Sequence, residues 1–559
     1  MIEFNEFGLA PSLSPVVFRH SVNSVRNSVP VIGHRAKLRY RGGSDMSSHH
    51  TASPAPVSKR ELYMVFAGLM LALTLASLDQ NIVSTALPRI VSDLGGLAHL
   101  SWVVTAFMVT STTSTPLYGK LSDMYGRKPL FFTAIIIFLI GSVLCGLSES
   151  MSQLILFRAL QGLGAGGLIT LAQTTVGDLI APRERGRYQG LFGAVFAACS
   201  VAGPLLGGVI TDALSWRWIF YVNLPVGIAA LALIAIALRP HQRTVQHRID
   251  YLGAGLLTCG TVSLLLFLSW GGTTYPWLSP MMLTLLGLSI LFTLLLIVQE
   301  RRAAEPILPL VLFQNPVFVV AASVVGLNAM ALFGSLVFLP LFFQLVLGAS
   351  PSHAGLMMAP MMGGVIVASV TGGRLVARTG RYKIFPVIGL ITGTLAFATL
   401  AWSSLTGANL AIIEVALVGL GAGLGLVMPN LTVAIQNSVD RRHLGVATSV
   451  TGFIRSLGGA LGVAVAGAVV AMRLHQLLPA EWTQPGPARR NLLEVGVQQL
   501  AQIPPEQHIL LMNAYRHAIA TTFMTGAGVI ALAFFIVLFL PEKPLRSNEA
   551  EKELEKAGY

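Results

Sequence analysis

Long, nearly uninterrupted apolar runs alternate along this chain with short polar and basic connectors. A membrane span needs about 20 mostly apolar residues. That ruler predicts fourteen helices, at roughly 62–84, 100–119, 129–147, 153–178, 187–212, 218–238, 250–270, 279–298, 317–346, 353–378, 383–403, 407–433, 443–472 and 515–540. The runs are too long and too continuously apolar for the short alternating strands of a closed barrel, the other structure that satisfies its own backbone in lipid. The expected fold class is all-α and integral to a membrane.

Composition agrees. Of 559 residues, 54% are hydrophobic and 11% charged, against about 25% charged in a soluble domain, and mean hydropathy is +0.70. That excludes an ordinary soluble enzyme. The formal net charge of +13 would suggest nucleic acid or anionic lipid if it formed a stripe. It does not: Lys and Arg cluster in connectors, so membrane lipid is an expected partner and nucleic acid is not. Seventeen follow even-numbered segments: Lys120, Arg127, Lys128, Arg183, Arg185, Arg187, Arg239, Arg243, Arg248, Arg301, Arg302, Arg374, Arg378, Arg381, Lys383, Arg441 and Arg442. The short loops of the other side hold two, Arg89 and Arg217. By the positive-inside rule the richer side is cytoplasmic, both termini lie there, and the expected location is the cell's inner (plasma) membrane.

Residues 1–60 hold no spanning stretch and are expected to be a disordered cytoplasmic leader. A polar leader starting at Met46 would suit the first span, so residues 1–45 are expected to reflect an upstream start choice. The remaining divisions are a six-helix bundle over 61–240, inserted helices 7 and 8 over 241–305, a second six-helix bundle over 306–540 and a cytoplasmic tail over 541–559. A long outer loop, 473–514, carries helix-like spacing at Asn491–Ile503. Cys145, Cys199 and Cys259 lie in apolar runs without ligand spacing, so neither a disulfide framework nor a metal site is expected.

After segment 2 the chain has Gly119-Lys-Leu-Ser-Asp123-Met-Tyr-Gly126-Arg127-Lys128, and after segment 10 Gly373-Arg-Leu-Val-Ala377-Arg-Thr-Gly380-Arg381-Tyr-Lys383. The repeat points to two related halves, an architecture transporters use with a site between them. GKLSDMYGRK resembles the loop signature of the major facilitator superfamily, and residues 60–540 are similar to its fourteen-helix drug:proton antiporter branch. Four further segments carry the resemblance: Leu78 to Pro88 on helix 1, Arg158-Ala-Leu-Gln161-Gly162 on helix 4, Gly203-Pro204-Leu-Leu-Gly207-Gly208 on helix 5, and Trp216 to Pro225 opening helix 6. Cys199 departs from the helix 5 motif at its first glycine, and Ala377 replaces the acid of the second loop copy. The resemblance implies a proton-driven exporter of amphipathic drugs. It also implies that Gly119, Asp123, Gly126, Arg127 and Lys128 latch the halves on the cytoplasmic side, with helix 13, starting near Leu444, as the matching partner.

Charge at membrane depth is costly, which makes each ionisable residue there a functional candidate. Asp79 lies about five residues from the outer end of helix 1 and Arg158 about five from the start of helix 4. At 1.5 Å per residue both sit roughly 8 Å below the outer boundary, within reach of each other. Arg158 favours ionised Asp79 while burial favours the protonated form, so opening and closing the pair is expected to switch one proton. A static ion pair is the competing reading. The mechanism also requires Asp79 to reach an aqueous crevice, and as the deep acid of the first half it would suit a cationic cargo.

Glu414 is a candidate for substrate or proton handling, and Arg455, near mid-depth in helix 13, equally for packing or for substrate. Asn81, Gln161, Asn328, Gln344 and Asn430 are further cavity candidates. Gly203, Pro204, Gly207 and Gly208 would thin and bend helix 5, as a gate or as ordinary close packing. The chain has no phosphate-cradling GxxxxGK[ST] and no HExxH or GxSxG. An enzyme is therefore not expected, nor any cofactor beyond the coupling proton. A monomer is expected. A dedicated exporter of one metabolite, and a non-transporting sensor on the same fold, stay open.

Overall fold

The computed structural model describes residues 59–95, 100–238, 249–272, 274–349, 351–407, 409–479 and 505–545. Most of the leader, the suggested surface helix at 491–503 and most of the tail lie outside them. The described residues form fourteen long helices: α1 Lys59–Leu94, α2 Leu100–Tyr125, α3 Arg127–Gly146, α4 Met151–Leu179, α5 Pro182–Ala213, α6 Trp218–Ala237, α7 Tyr251–Trp270, α8 Pro280–Glu300, α9 Pro316–Leu345, α10 Ala359–Thr379, α11 Ile384–Thr406, α12 Leu410–Ser438, α13 Leu444–Leu477 and α14 Pro505–Leu538. Thirteen are apolar and long enough to cross a membrane on composition alone. The fourteenth, α2, is diluted by the run Thr110 to Thr115. Its hydroxyls turn back onto their own backbone, Thr113 to Val109 O at 2.7 Å and Thr115 to Ser111 O at 2.8 Å, which satisfies them without water.

Helix ends follow local chemistry. Asn315 and Ser279 cap α9 and α8, each with proline in the first turn. Gly380 and Gly407 end α10 and α11 in the left-handed conformation. α6 runs as Trp218–Tyr221 and Asn223–Ala237 with Val222 between them in helical conformation, and Ser142 of α3 donates to the Phe220 carbonyl at 2.8 Å.

The halves pack as the repeat implies. α1 lies on α5 and α6, and α2 and α3 lie on α4; in the second half α9 lies on α13 and α14, and α12 on α10 and α11. Across the divide α5 meets α10 and α2 meets α13. The inserted α7 and α8 pack together, with α7 also against α2 and α13. Glycine permits the closest crossings. A Cβ at Gly166 of α4 would overlap the Ser111 carbonyl of α2, and one at Gly421 of α12 the Met361 carbonyl of α10.

Candidate functional site

The charged pair meets. Arg158 Nη1 donates to Asp79 Oδ2 at 2.6 Å. Oδ1 of Asp79 accepts from Gln161 Nε2 and Asn223 Nδ2, each at 2.9 Å. Arg158 also donates to Gln161 Oε1 at 2.8 Å and to the Val103 carbonyl at 3.3 Å, and its guanidinium lies 4.1 Å over the Phe107 ring. Ser142 ties Gln161 and Asn223 together at 3.2 and 3.0 Å. Two helices, α4 and α6, thus hold the carboxylate of α1 directly, and α2 and α3 complete the network behind them. Breaking such a buried pair by removing one partner costs about 3–5 kcal/mol.

One expectation is corrected. Asp79 is 0% exposed and does not line the large cavity between the halves; Arg158, 2% exposed, is the member of the pair in its wall. The open access to an aqueous crevice expected of Asp79 is absent in this state, Arg158 standing between the acid and the cavity, and the acid offers no charge to a molecule there. The inference of a cationic cargo from Asp79 loses its basis.

That cavity holds about 2850 Å³ and is lined from both halves. Its lining is mainly apolar and includes Met358, Met361, Met362 and Met428, a flexible residue type, together with Phe107, Phe192 and Phe333. The rim includes Tyr275 and Trp277 from the α7–α8 turn and Met472 near the end of α13. All of these stand toward the face opposite the basic loops. Of the proposed polar candidates Asn81 lines it, with Gln80 beside it. The others do not. Gln161 is spent on Asp79. Asn430 turns away toward Gly372 of α10 and donates to Leu426 O at 2.6 Å. Asn328 is 2% exposed on the flank of the α9 face that Val325, Leu332 and Leu336 present, and Gln344 lies beyond Pro340 on the same helix. Glu414 lies about 15 Å along α12 from Leu424, the first cavity residue of that helix. Arg455 lines the cavity instead of bonding to Glu414 or a backbone carbonyl.

The basic face is shut beneath the cavity. Asp123 Oδ1 accepts from Gly445 N at 3.1 Å and Oδ2 from Val446 N at 2.9 Å, so the carboxylate sits on the positive start of α13. Arg127 holds Asp123 at 2.6 Å and Asp178 at 2.7 Å. Gly126, at φ 89°, makes the turn that brings it there, and a Cβ at Gly119 would overlap Ser449. Lys128, expected to help latch the two halves, donates instead to Ala235 O of α6 at 2.6 Å, within its own half. On the symmetry-related side Arg183 donates to the Ala377 and Arg378 carbonyls at 3.2 and 3.3 Å.

Helix 5 divides its motif. A Cβ at Gly203 would lie 2.6 Å from Asn81 Cβ and one at Gly207 2.5 Å from Ile82 O, so this face fits against α1 two to three residues past Asp79. Gly208 has open space around it and, with Pro204, lines the cavity.

Sequence reasoning missed Asn223 as a partner of Asp79, Ser142 as the hydroxyl that ties Asn223 to Gln161, and Gln173 and Gln189 in the cavity wall. Asn223 stood inside the motif opening helix 6, and that placement was its signal; Ser142 had none.

The family model described as Major Facilitator Superfamily matches residues 69–463. A multidrug transporter protein, MdtP, of Bacillus subtilis (strain 168) is 38% identical over 525 residues, covering 89% of this chain and 96% of that one. Multidrug resistance protein 3 of the same organism is 38% identical over 504 residues, covering 87% and 96%. The solved structure of the human organic anion transporter MFSD10 (TETRAN) superposes with a TM-score of 0.57 over 87% of this chain and 100% of that one. At 17% identity it shares the fold alone. The chain belongs to the major facilitator superfamily, a multi-pass membrane transporter whose relatives include multidrug transporters.

Proposed function

We propose that the protein exports amphipathic compounds by proton-driven alternating access. The observation that carries this reading is the placement of Arg158, which closes the cavity wall on one side and holds the sealed Asp79 on the other. The names of the relatives support export, and one chain supplies both halves of the cavity, so a monomer suffices. With the basic face cytoplasmic in a plasma membrane, the cavity opens outward.

In this state cargo leaves and a proton enters. The proton reaches Asp79 only when Arg158 swings into the cavity, so the pair gates its own titration and no open proton path crosses the protein. Neutral Asp79 loses its hold on Arg158. The junction of α1, α4 and α6 then loosens, and α1 carries the change to α5 through the Gly203 and Gly207 contacts. The Asp123 latch opens, cytoplasmic cargo enters, and the proton leaves inward. Each charge moved with the membrane potential supplies about 2.3 kcal/mol per 100 mV.

The test uses cells producing the protein and loaded with ethidium. Expected are lower retention than in control cells, loss of the difference when a protonophore is added, and the same loss in Asp79→Asn at equal protein level. Gradient-dependent export by Asp79→Asn at the wild-type rate would remove Asp79 from the mechanism.

A further inference from the structure

Two formally charged side chains line the cavity among the described residues, Arg158 and Arg455, and no lining residue is acidic. Arg158 is neutralised from behind by Asp79. Arg455 has no hydrogen bond, ion pair or ring contact among the described residues. It projects from the α13 face made of Thr451, Gly452, Ser456, Gly459 and Ala460, where small neighbours leave room before it. Phe333 of α9 fills the space a side chain at Gly459 would take and gives the site an apolar wall.

A cation kept at membrane depth without a counter-charge is unfavourable unless something arrives to neutralise it. Nothing in the lining does so. Gln189, 2% exposed in the same cavity lining, keeps its amide Nε2 without an acceptor, a second unused donor. A planar guanidinium matches the two oxygens of a carboxylate or sulfonate, and the methionine-rich walls suit an aromatic or aliphatic body of no fixed shape.

We infer that the cavity binds amphipathic organic anions, with Arg455 as the counter-ion of a carboxylate or sulfonate head and the apolar body against Phe333 and the methionines. This deepens the exporter reading and rests on it for its cellular meaning, but binding itself needs no gradient.

The test is equilibrium dialysis of the full chain in an uncharged detergent, against protein-free micelles. The two probes are 1-anilinonaphthalene-8-sulfonate and N-phenyl-1-naphthylamine, which share a scaffold and differ by the sulfonate. The wild type should bind the sulfonate about tenfold more tightly than the neutral probe. Arg455→Gln should erase that difference and Arg455→Lys should keep most of it. Equal affinities in the wild type, or an unchanged preference in Arg455→Gln, would overturn the proposal. Should the Gln variant fail to fold, the two probes on the wild type still decide. Displacement of the sulfonate by phosphatidylglycerol, but not by phosphatidylcholine at the same mole fraction, would assign the subsite to a lipid headgroup and also overturn it. Gradient-driven ethidium export without sulfonate preference sinks the anion subsite and leaves export standing. Sulfonate preference lost with Arg455→Gln, in a protein that moves neither probe nor ethidium, does the reverse.

Discussion

Arg158 and Arg455 are the same residue type in the same cavity wall, one in each half, and their surroundings are opposite. Arg158 is 2% exposed, bonded to Asp79, Gln161 and a backbone carbonyl, and stacked on Phe107. Arg455 has none of this. A cation whose charge is already matched can respond only to loss of its partner, which suits it to a proton switch. A cation without a partner responds to what enters from outside, which suits it to cargo. The two halves of one duplicated architecture thus divide coupling from recognition.

The largest expected effect is on the first half of that comparison. Asp79→Ala leaves Arg158 buried and uncompensated, and a drop in stability of about 3–5 kcal/mol is expected, read as a fall in the thermal midpoint of the purified protein. Asp79→Asn keeps an acceptor for Arg158 and should stay folded while gradient-driven export falls at least about 100-fold. Arg455→Gln should leave the midpoint at or above that of the wild type, because it removes an unpaired charge. A large loss of stability in Arg455→Gln would show that a partner holds it after all, and the contrast between the two arginines would collapse.

The loop repeat offers the same comparison at lower stakes. Asp123 caps the start of α13, and its counterpart Ala377 has no carboxylate to offer α5. Hydrogen bonds to a charged acceptor contribute about 1.5–3 kcal/mol each, and about 1.4 kcal/mol changes a population tenfold. Asp123→Asn should therefore open the basic face at least about tenfold more often. Ser456→Cys, in a Cys259→Ser background, should react more slowly with an impermeant thiol reagent supplied from the cavity side, by the fraction of time the cavity is closed to it. Ala377→Asp should slow the opposite transition by a smaller factor. Equal and large effects at both loops would mean that the latch is symmetric.

His443 sits at the entrance of α13, and Arg442, Asp440, Asp123 and Lys120 are the charged groups around it. Burial, and then Arg442, push its imidazole below the usual histidine value. A depressed histidine disfavours the closed latch once protonated. The closure is at full strength above about pH 6.5 and weakens as pH falls from there through the lowered value in the folded protein. The thiol of Ser456→Cys, its rate taken relative to that of free cysteine at the same pH because the thiolate is the reacting form, should react more slowly at pH 5.5 than at 7.5, and His443→Gln should flatten that dependence. A pH effect unchanged in His443→Gln would place the titrating group elsewhere.

The fold was legible because lipid removes most alternatives: a continuous apolar run of span length has little to become but a helix. α2 shows the limit, since counting polarity ignores that Thr113 and Thr115 bond their own backbone. The meeting of Asp79 and Arg158 was legible because depth follows from residue count along two antiparallel helices. Asn223 reaches the same carboxylate from α6, and which polar side chains meet across helices is not written in hydropathy. Cavity membership depends on the direction a side chain takes around the helix. That is why Asn430, placed at a useful depth, faces α10 instead, and Asn328 lies buried on the flank of the cavity face of α9.

Glu414 gives the smallest expected effect and tests how far the division between coupling and recognition extends. It is the second-half acid that sequence reasoning set beside Arg455, yet it lies far along α12 from the cavity residues and makes no ion pair with that arginine. Near the end of its helix, its charge can be hydrated without help from the protein, so neutralising it removes no buried interaction. Glu414→Gln should change ethidium export, and the sulfonate preference of the purified protein, by less than about twofold. A tenfold loss of either would mean that α12 moves far enough in the transport cycle to bring Glu414 to Arg455. The second half would then hold a transient ion pair mirroring the permanent one in the first.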